Sequence, residues 1–379
     1  MNEKNTSCLL IPNSSLIAMS GGVDSSVSAY LMAQKYKTCV GATMLLFLNE
    51  SLGVPSKYPC CSRENIIDAK KICETLGIEH EVLNLMQEFE DSVIKKFVSV
   101  YEDGGTPNPC IDCNKFLKFG ALLKHANESG LEKIATGHYA KIKRDSSGRF
   151  LLFKAEDLSR DQSYVLYMMT QEQLARTEFP LGDMKKTEVR ELAQELNFIN
   201  AKKNDSQDIC FIPDGNYGAF IEIFTGKKYP SGNFIDASGK ILGVHKGIIH
   251  YTTGQRRGLG VAAKSRLYVS KIDSVTNNIT LVPEDEAGLY CDKIKISGAN
   301  LIAFDNLPEN FCAKVKTRYR QKEIPAIINQ INDDELIIEF KEKIKTPARG
   351  QAAVIYDGDL VIGGGTIFEV GVRRWELGG

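Results

Sequence analysis

The stretch LIAMSGGVDSSVSAYLMAQK, Leu16 to Lys35, decides how the first half of this chain folds. Leu16 to Met19 is a short apolar run of strand character, Ser20 to Ser26 is rich in glycine and serine, and Ser25 to Lys35 predicts a helix. A buried strand that turns through paired glycines straight into a helix opens a βαβ unit, so a parallel sheet is expected. The same turn suits an anion. Gly21 and Gly22 clear side chains from the path of a ligand, the serine hydroxyls donate hydrogen bonds, and the helix N-terminus adds roughly +0.5 of dipole charge. Asp24 is placed to cap the helix or to hold a metal ion. A plain strand-to-helix turn without a ligand uses the same residue types. Neither the Gly-Lys-Ser/Thr of one phosphate-loop pattern nor the Gly-x-Gly-x-x-Gly of another is present in the string.

Outward from that turn, apolar runs alternate with amphipathic segments. Strands are expected over Val40 to Phe47, Val82 to Leu85 and Ile134 to Thr136. Helices are expected over Glu64 to Leu76, Val93 to Tyr101, Phe116 to Ala126, Ser163 to Met169, Gln171 to Ala175 and Thr187 to Leu196. Gly104 to Pro109 suits no regular element and predicts a shaped loop. After about residue 205 helical periodicity fades into short β-rich runs, among them Ile248 to Thr253, Leu267 to Ile272 and Ile279 to Val282. A further set, Ala313 to Thr317, Glu335 to Phe340, Ala352 to Ile355 and Leu360 to Ile362, predicts a small barrel. The expected architecture is α/β plus β: a doubly wound parallel sheet over 1–205, a small central β domain over 206–288 and a C-terminal β-barrel over 289–379.

The length of 379 residues suits two or three domains, and 43% hydrophobic with 25% charged residues excludes a disordered chain. A formal charge of −1 and a pI near 6.6 mean that any basic binding face is local. No run approaches the ~18 apolar residues of a membrane span, and Met1 to Ser15 lacks the apolar core of a secretory signal, so no membrane partner and a cytoplasmic location are expected. The ten cysteines are then expected in a reducing compartment, where close spacing points to metal binding, catalysis or redox chemistry.

Cys110 and Cys113 stand at C-x-x-C spacing just before a helix predicted from near Lys115. A free thiol with a pKa of ~8.5 is about 3% thiolate at pH 7, and a depression of about two units by a helix dipole and nearby lysines makes it roughly three-quarters thiolate. The alternative is half of a zinc site, but a second C-x-x-C or a His pair at ligand spacing is absent. Cys210, between Ile209 and Phe211, reads either as a buried apolar cysteine or as a functional one. Cys60, Cys61 and Cys73 are expected to be structural.

Lys314, Lys316, Arg318, Arg320 and Lys322 alternate along a strand-like run with Tyr319 beside them, which predicts one basic face. The face suits phosphates or protects a sheet edge. Arg256, Arg257, Lys341, Lys343, Lys345 and Arg349 extend the possible footprint.

The string Ser20 to Ser26 resembles the SGGxDS signature of the PP-loop ATP pyrophosphatases, which adenylate a substrate oxygen and release pyrophosphate. The set formed by that string, Thr106 to Asn114, Ala135 to Tyr139, Asp161 to Tyr164, Asp205 to Phe211, Thr253 to Gly260 and Gly363 to Thr366 resembles the bacterial tRNA-specific 2-thiouridylases, in order over nearly the whole chain. The resemblance implies adenylation of the C2 oxygen of the wobble uridine in tRNAs for Glu, Gln and Lys. Sulfur from a persulfide on Cys210 then displaces AMP, with Cys113 as the nucleophilic cysteine.

By the same resemblance Ala18, Met19, Ser20, Gly21, Gly22, Val23, Asp24, Ser25, Met44 and Gly137 contact ATP, with Mg2+ expected alongside. Met44 also admits a reading as core packing, and His138 reads equally as a structural histidine. Asn108, Pro109 and Cys110 border the flipped-out base, and His138, Arg160, Asp161, Gln162, Arg318, Tyr319 and Gln351 contact tRNA. Implied partners are tRNA and a sulfur donor, either a cysteine desulfurase or a relay protein.

Two departures matter. Cys110 stands where many members carry Asp, which leaves Cys110, Cys113 and Cys210 as a potential iron-sulfur ligand set, and Arg160 replaces the more usual Lys. A Cys113–Cys210 disulfide at rest is left open. So are two rival functions, a different PP-loop enzyme such as a 4-thiouridine synthetase and a catalytically inactive RNA-binding protein.

Overall fold

The structure, a computed structural model, describes residues 11–48, 63–205 and 209–371. Two compact units divide it, one drawn from Met1–Ser92 and Cys110–Asp214, the other from Val93–Pro109 and Gly215–Gly379.

The first unit is built on a parallel sheet of β1 (Ile11–Ala18), β2 (Thr38–Leu45), β3 (Glu79–Asn84), β4 (Leu131–Ala135) and β7 (Thr177–Glu178) in the order β3-β2-β1-β4-β7. The apolar end of its central strand faces core on both sides, with Leu16 and Ile17 fully buried. β1 starts earlier than its apolar run because Ser14 belongs to the ladder, paired with Thr38, and its hydroxyl accepts from the Glu132 N–H at 3.0 Å. Helix α1 (Val23–Lys35) lays Val23, Val27, Ala29 and Met32 on the sheet, and α2 (Arg63–Leu76) adds Ala69, Ile72 and Cys73 to the same core.

Helix α3 runs through Met86–Phe89, a π-helical turn Glu90–Ile94 and Lys95–Glu102, earlier at its start than the predicted segment. Helix α4 runs through Pro109–Asp112, a π-helical stretch Cys113–Ala121 and Leu122–Glu128. It therefore begins at Pro109, a residue suited to a first helical position because no intrahelical partner awaits its missing N–H. The helix predicted over Ser163 to Met169 is only a 3-10 turn, Ser163–Val165. Tyr164, Val165, Leu166, Tyr167, Met168 and Met169 are all buried, so the segment is an apolar plug without the polar face of a surface helix. Helices α5 (Gln171–Arg176) and α6 (Lys186–Glu195) follow their predictions closely. The hairpin of β5 (Lys141–Arg144) and β6 (Phe150–Phe153) was not foreseen, although Asp145 Oδ1 caps its turn by accepting from the N–H groups of Ser147 and Arg149.

The second unit contains a four-stranded sheet, β10-β11-β8-β9, from β8 (Gly232–Ile235), β9 (Ile241–His245), β10 (Leu267–Asp273) and β11 (Asn278–Pro283). Against expectation it also contains a helix, α7 (Tyr217–Thr225), and the strand predicted at Ile248 to Thr253 is a 3-10 turn, Ile248–His250. Asn216 caps α7 by accepting from Ala219 N–H, and Gly226 ends it at φ 67°.

The barrel strands are β12 (Tyr290–Leu301), β13 (Phe311–Lys316), β14 (Ile324–Gln330), β15 (Leu336–Lys345), β16 (Ala352–Asp357) and β17 (Leu360–Gly371). They run in the order β12-β15-β14-β13-β16-β17, and β17 pairs back to β12, so the barrel is closed. Alternate residues Ile294 and Ile296, and Leu336, Ile338 and Phe340, fill it. At the closure Gly363 lies against β12 so tightly that a Cβ would meet Asn300 O at 2.2 Å, which explains glycine there. Among the described residues no helix is long and apolar enough to cross a membrane.

Candidate active site

β1 has β2 on one side and β4 on the other, so the crevice at the carboxyl ends of β1 and β4 is the switch point at which open α/β sheets bind ligands. Ser20 to Gly22 follow β1 there and Gly137 follows β4. Gly137 lies against the loop: a Cβ on it would stand 3.0 Å from Asp24 C and Ser25 N. Gly21 has φ +71° and no room for a Cβ, which would come within 2.4 Å of Asn65 O. The Ser25 hydroxyl accepts from Ser20 N–H at 3.2 Å and donates to Gly22 O at 2.9 Å, and the Ser26 hydroxyl donates to Gly22 O at 3.1 Å. Ala18 pairs with Ala42, and Met44 lies two residues further along β2, half-buried. The residues expected at the nucleotide thus meet at one end of the sheet.

Asp24 neither caps nor stands open to a metal. Gly22 is the N-cap, and the Asp24 carboxylate accepts from Lys186 Nζ at 2.7 and 2.8 Å and from the Tyr139 hydroxyl at 2.8 Å. Burial, reinforced by the Asp24 charge, pushes the Tyr139 phenol far up, so it remains a donor. Lys186 also reaches Asp205 at 2.8 Å, which Arg190 approaches at 2.9 Å and Arg160 at 3.0 Å. Burial opposes the charge on Asp205, but Lys186, with Arg190 and Arg160, outweighs it and holds the carboxyl below its usual range.

Cys110 lies exposed in the first turn of α4, and Cys113, three residues on, lies half-buried on the same side of the helix. The expectation of a depressed thiol fails: burial pushes Cys113 up to about 11, aided by Cys110 and Asp112 and opposed by Lys118. The helix starts before the thiol, not after it, so the orphan N–H groups of the helix start do not converge on Cys113. Lys118 Nζ stands 3.3 Å from His138 Nε2, and His138 Nδ1 stands 2.6 Å from Thr136 Oγ1. A lysine ammonium only donates, so Nε2 accepts and Nδ1–H donates to Thr136. His138 is 6% exposed between the rings of Phe119 and Phe179, and burial and then Lys118 hold it well below 6.5, hence neutral.

Cys210 is half-buried in the same unit, next to Phe211, whose ring meets Phe89 edge-on at 5.5 Å. Cys110, Cys113 and Cys210 are thiols, and among the described residues no three His, Cys, Asp or Glu side chains gather as a metal site. The iron-sulfur ligand set is therefore not assembled. Cys73 is fully buried, and Cys60 and Cys61 lie outside the described residues.

Of the expected tRNA contacts, Arg160 is exposed while Asp161 is buried, accepting from Ala155 N–H, Ser163 N–H and the Ser163 hydroxyl. Gln162 Oε1 accepts from Tyr139 N–H at 3.0 Å. In the second unit Asn108 is half-buried and Pro109 buried, and Gln351 Nε2 donates to Thr106 O at 2.8 Å and Pro107 O at 3.2 Å. The basic stripe is not one strand face: Lys314 and Lys316 flank buried Val315 on β13, but Arg318 to Lys322 form the turn beyond it, tied by Thr317 N–H donating to Gln321 Oε1. The turn presents Arg318, Tyr319, Arg320 and Lys322 to solvent, and Arg318 packs over Gly254.

Residues 13–214 match a family described as tRNA methyl transferase HUP domain, 218–283 its PRC-barrel domain, and 291–367 an aminomethyltransferase beta-barrel domain. The tRNA-specific 2-thiouridylase MnmA of Clostridium acetobutylicum is 42% identical over 352 residues, covering 93% of this chain and 98% of that protein. The tRNA-specific 2-thiouridylase MnmA 2 of Thermoanaerobacter pseudethanolicus is 45% identical over 359 residues, 94% of this chain and 98% of that one. The chain belongs to the tRNA-specific 2-thiouridylase family.

In this thiouridylase-family chain the sequence reading missed Lys186, Arg190, Asn200, Lys203 and Lys118. Asn200 Nδ2 donates to Gly21 O at 3.1 Å and Ser26 Oγ at 2.9 Å, and Lys203 Nζ donates to Gly21 O at 3.2 Å, Asn65 Oδ1 at 2.5 Å and Asp68 Oδ2 at 2.9 Å. Their only sequence signal is a polar run ahead of the Asp205 to Phe211 motif, with no period and no glycine to mark it.

Proposed function

We propose that this protein is an ATP-dependent tRNA-uridine 2-sulfurtransferase acting on the wobble uridine of tRNAs for Glu, Gln and Lys. One observation carries the reading: relatives matching 93% of the chain over 98% of their own length bear the name tRNA-specific 2-thiouridylase. The glycine-serine loop at the switch point and the thiols of Cys113 and Cys210 in the same unit support it.

ATP seats its phosphates on Ser20, Gly21, Gly22, Val23, Asp24 and Ser25, with Ala18, Met19, Met44 and Gly137 around the rest of the nucleotide. Mg2+ would neutralise the phosphate charge as the nucleotide's counter-ion, and Asp24, held by Lys186, is the carboxylate nearest the loop in sequence. The target base leaves the anticodon stack and lies beside Asn108, Pro109, Cys110 and His138. Arg160, Asp161, Gln162, Arg318, Tyr319 and Gln351 complete the tRNA contacts. The labour divides over 1–205, 206–288 and 289–379.

The C2 carbonyl of uridine is urea-like and a poor electrophile. Its oxygen attacks the α-phosphorus, pyrophosphate leaves, and C2 then carries AMP as a leaving group. The terminal sulfur of a Cys210 persulfide, loaded by a cysteine desulfurase or relay protein, adds to C2 and expels AMP. The Cys113 thiolate attacks Cys210 Sγ, releasing 2-thiouridine and leaving a Cys113–Cys210 disulfide for an external thiol to reduce. Lys118 is the cation that favours this thiolate.

The test is nucleoside analysis of unmodified glutamate tRNA after incubation with ATP, Mg2+ and a desulfurase, on protein prepared without oxygen and assayed for iron. Formation of 2-thiouridine, lost in Cys113→Ser and Cys210→Ser and independent of iron, is the expected result. Product that tracks iron content overturns the persulfide route, 4-thiouridine moves the chain to another reaction, and no thionucleoside at all rejects the assignment.

A further inference from the structure

The loop that receives the phosphates depends on the orientation of a single peptide, the one between Gly21 and Gly22. Among the described residues no peptide bond is cis, and in a trans peptide the C=O and the N–H point in opposite directions. Whatever holds the Gly21 carbonyl therefore aims the Gly22 N–H to the other side, where it donates to Ser20 Oγ at 3.4 Å, a long bond that a phosphate oxygen can replace. Two side chains hold it, both from the segment that follows α6: Asn200 Nδ2 at 3.1 Å and Lys203 Nζ at 3.2 Å.

Each is itself fixed. Asn200 is 3% exposed and shares its amide hydrogens between Gly21 O and Ser26 Oγ. Its own Oδ1 is buried without a hydrogen-bond partner. Turning the amide over would set oxygen against the Gly21 oxygen, so the orphan acceptor is the cost of keeping a donor on that carbonyl. Lys203 is anchored by Asn65 Oδ1 and Asp68 Oδ2, and Asn65 is the residue whose backbone closes over Gly21. With Asp68 neutralising its charge, Lys203 serves geometry more than field.

We propose that Asn200 and Lys203 are positioning residues of the nucleotide loop: by gripping the Gly21 carbonyl from behind they preset the Gly22 N–H toward the phosphate. The proposal rests on the reading of Ser20 to Ser26 as the ATP pyrophosphate site. Because both act on one oxygen, removing either releases the peptide and removing both adds little.

Calorimetric titration with inorganic pyrophosphate and, separately, with adenosine tests it in the full chain. In Asn200→Asp, Lys203→Met and the double variant, pyrophosphate affinity is expected to fall about tenfold, with the double near either single, while adenosine affinity stays unchanged. Lys203→Arg, which keeps a donor for both Gly21 O and Asp68, is expected to recover most of the loss. Equal loss for both ligands, or no loss for pyrophosphate, overturns the positioning role. Failure of the unaltered protein to bind either ATP or pyrophosphate overturns the underlying nucleotide-site reading instead. Thermal unfolding of Lys203→Arg beside the unaltered protein verifies that the comparison is made between folded chains.

Discussion

Cys113 and Asp205 show how opposite environments tune two ionisable groups of one unit. Burial dominates at Cys113 and pushes the thiol up to about 11, so at pH 7 about one molecule in ten thousand carries the thiolate at rest. Alkylation of Cys113 by iodoacetamide, followed by peptide mass spectrometry, is expected to be slow at pH 7 and to climb as the pH approaches 11. Lys118→Met is expected to move the midpoint higher, since its cation favours the thiolate; a midpoint at or below pH 8 contradicts the account. At Asp205 the three basic partners win over burial and the folded carboxyl lies below its unfolded value of about 4. Such a group stabilises the fold fully above the unfolded value and loses that contribution as the pH falls through the folded one. With a quarter of the side chain still exposed, Asp205→Asn is expected to cost about 1–3 kcal/mol at pH 7. The gap in unfolding temperature should close on acidification below about pH 4, and a gap unchanged at pH 3 contradicts the charge network as its source.

Local geometry decides which changes an element tolerates. The turn from β1 into α1 carries two adjacent glycines of unequal need. Gly21 has φ +71° and backbone of Asn65 at 2.4 Å from a would-be Cβ, whereas at Gly22 the nearest atom, the flexible Ser20 Oγ, is 3.4 Å away. Gly21→Ala is therefore expected to destabilise by more than about 2 kcal/mol in urea unfolding, and Gly22→Ala by less than about 1 kcal/mol. Equal effects would mean that the loop relaxes around either side chain.

At α5 the sequence wrote a complete capping box: Thr170 Oγ1 accepts from Gln173 N–H and Gln173 Oε1 accepts from Thr170 N–H. Gln173 Nε2 also donates to Phe119 O at 2.7 Å, satisfying a carbonyl of the π-helical stretch of α4. Thr170→Ala is expected to cost about 1 kcal/mol, and Gln173→Ala about 2 kcal/mol because it also orphans that carbonyl. Urea midpoints of the two variants provide the comparison, and an equal cost would separate the Phe119 bond from stability.

For the molecule as a whole, what could be read from the sequence was what repeats locally. The parallel sheet announced itself because strands buried on both faces are continuous apolar runs, and the barrel because Leu336, Ile338 and Phe340 recur at period two with Glu339 and Lys341 on the other face. β14 escaped because Pro325 breaks the strand pattern, yet Pro325 pairs with Lys314 in the ladder. The glycine-serine loop was legible as a contiguous string; Lys186, Asn200 and Lys203 were not, because they reach it from 162 to 182 residues away. The basic stripe was half legible: alternation located the charges but not the turn at Lys316, beyond which period two no longer assigns a face. That turn sharpens the last expectation. Lys316 is largely buried, over the Tyr356 ring and near Glu323, so it is poorly placed for phosphate, whereas Lys314, Arg318, Arg320 and Lys322 are exposed. If each of the four neutralises one phosphate, the logarithm of the tRNA association constant should fall against the logarithm of salt with a slope of about −3 to −4. Single Gln substitutions of these four should each reduce the slope by about 1, Lys316→Gln by much less, and Lys70→Gln, at an exposed position of α2 beside Glu74, not at all. Filter binding across a salt series measures this. A slope insensitive to all four would place the tRNA on another face of the chain and leave the basic turn as protection for the barrel's edge.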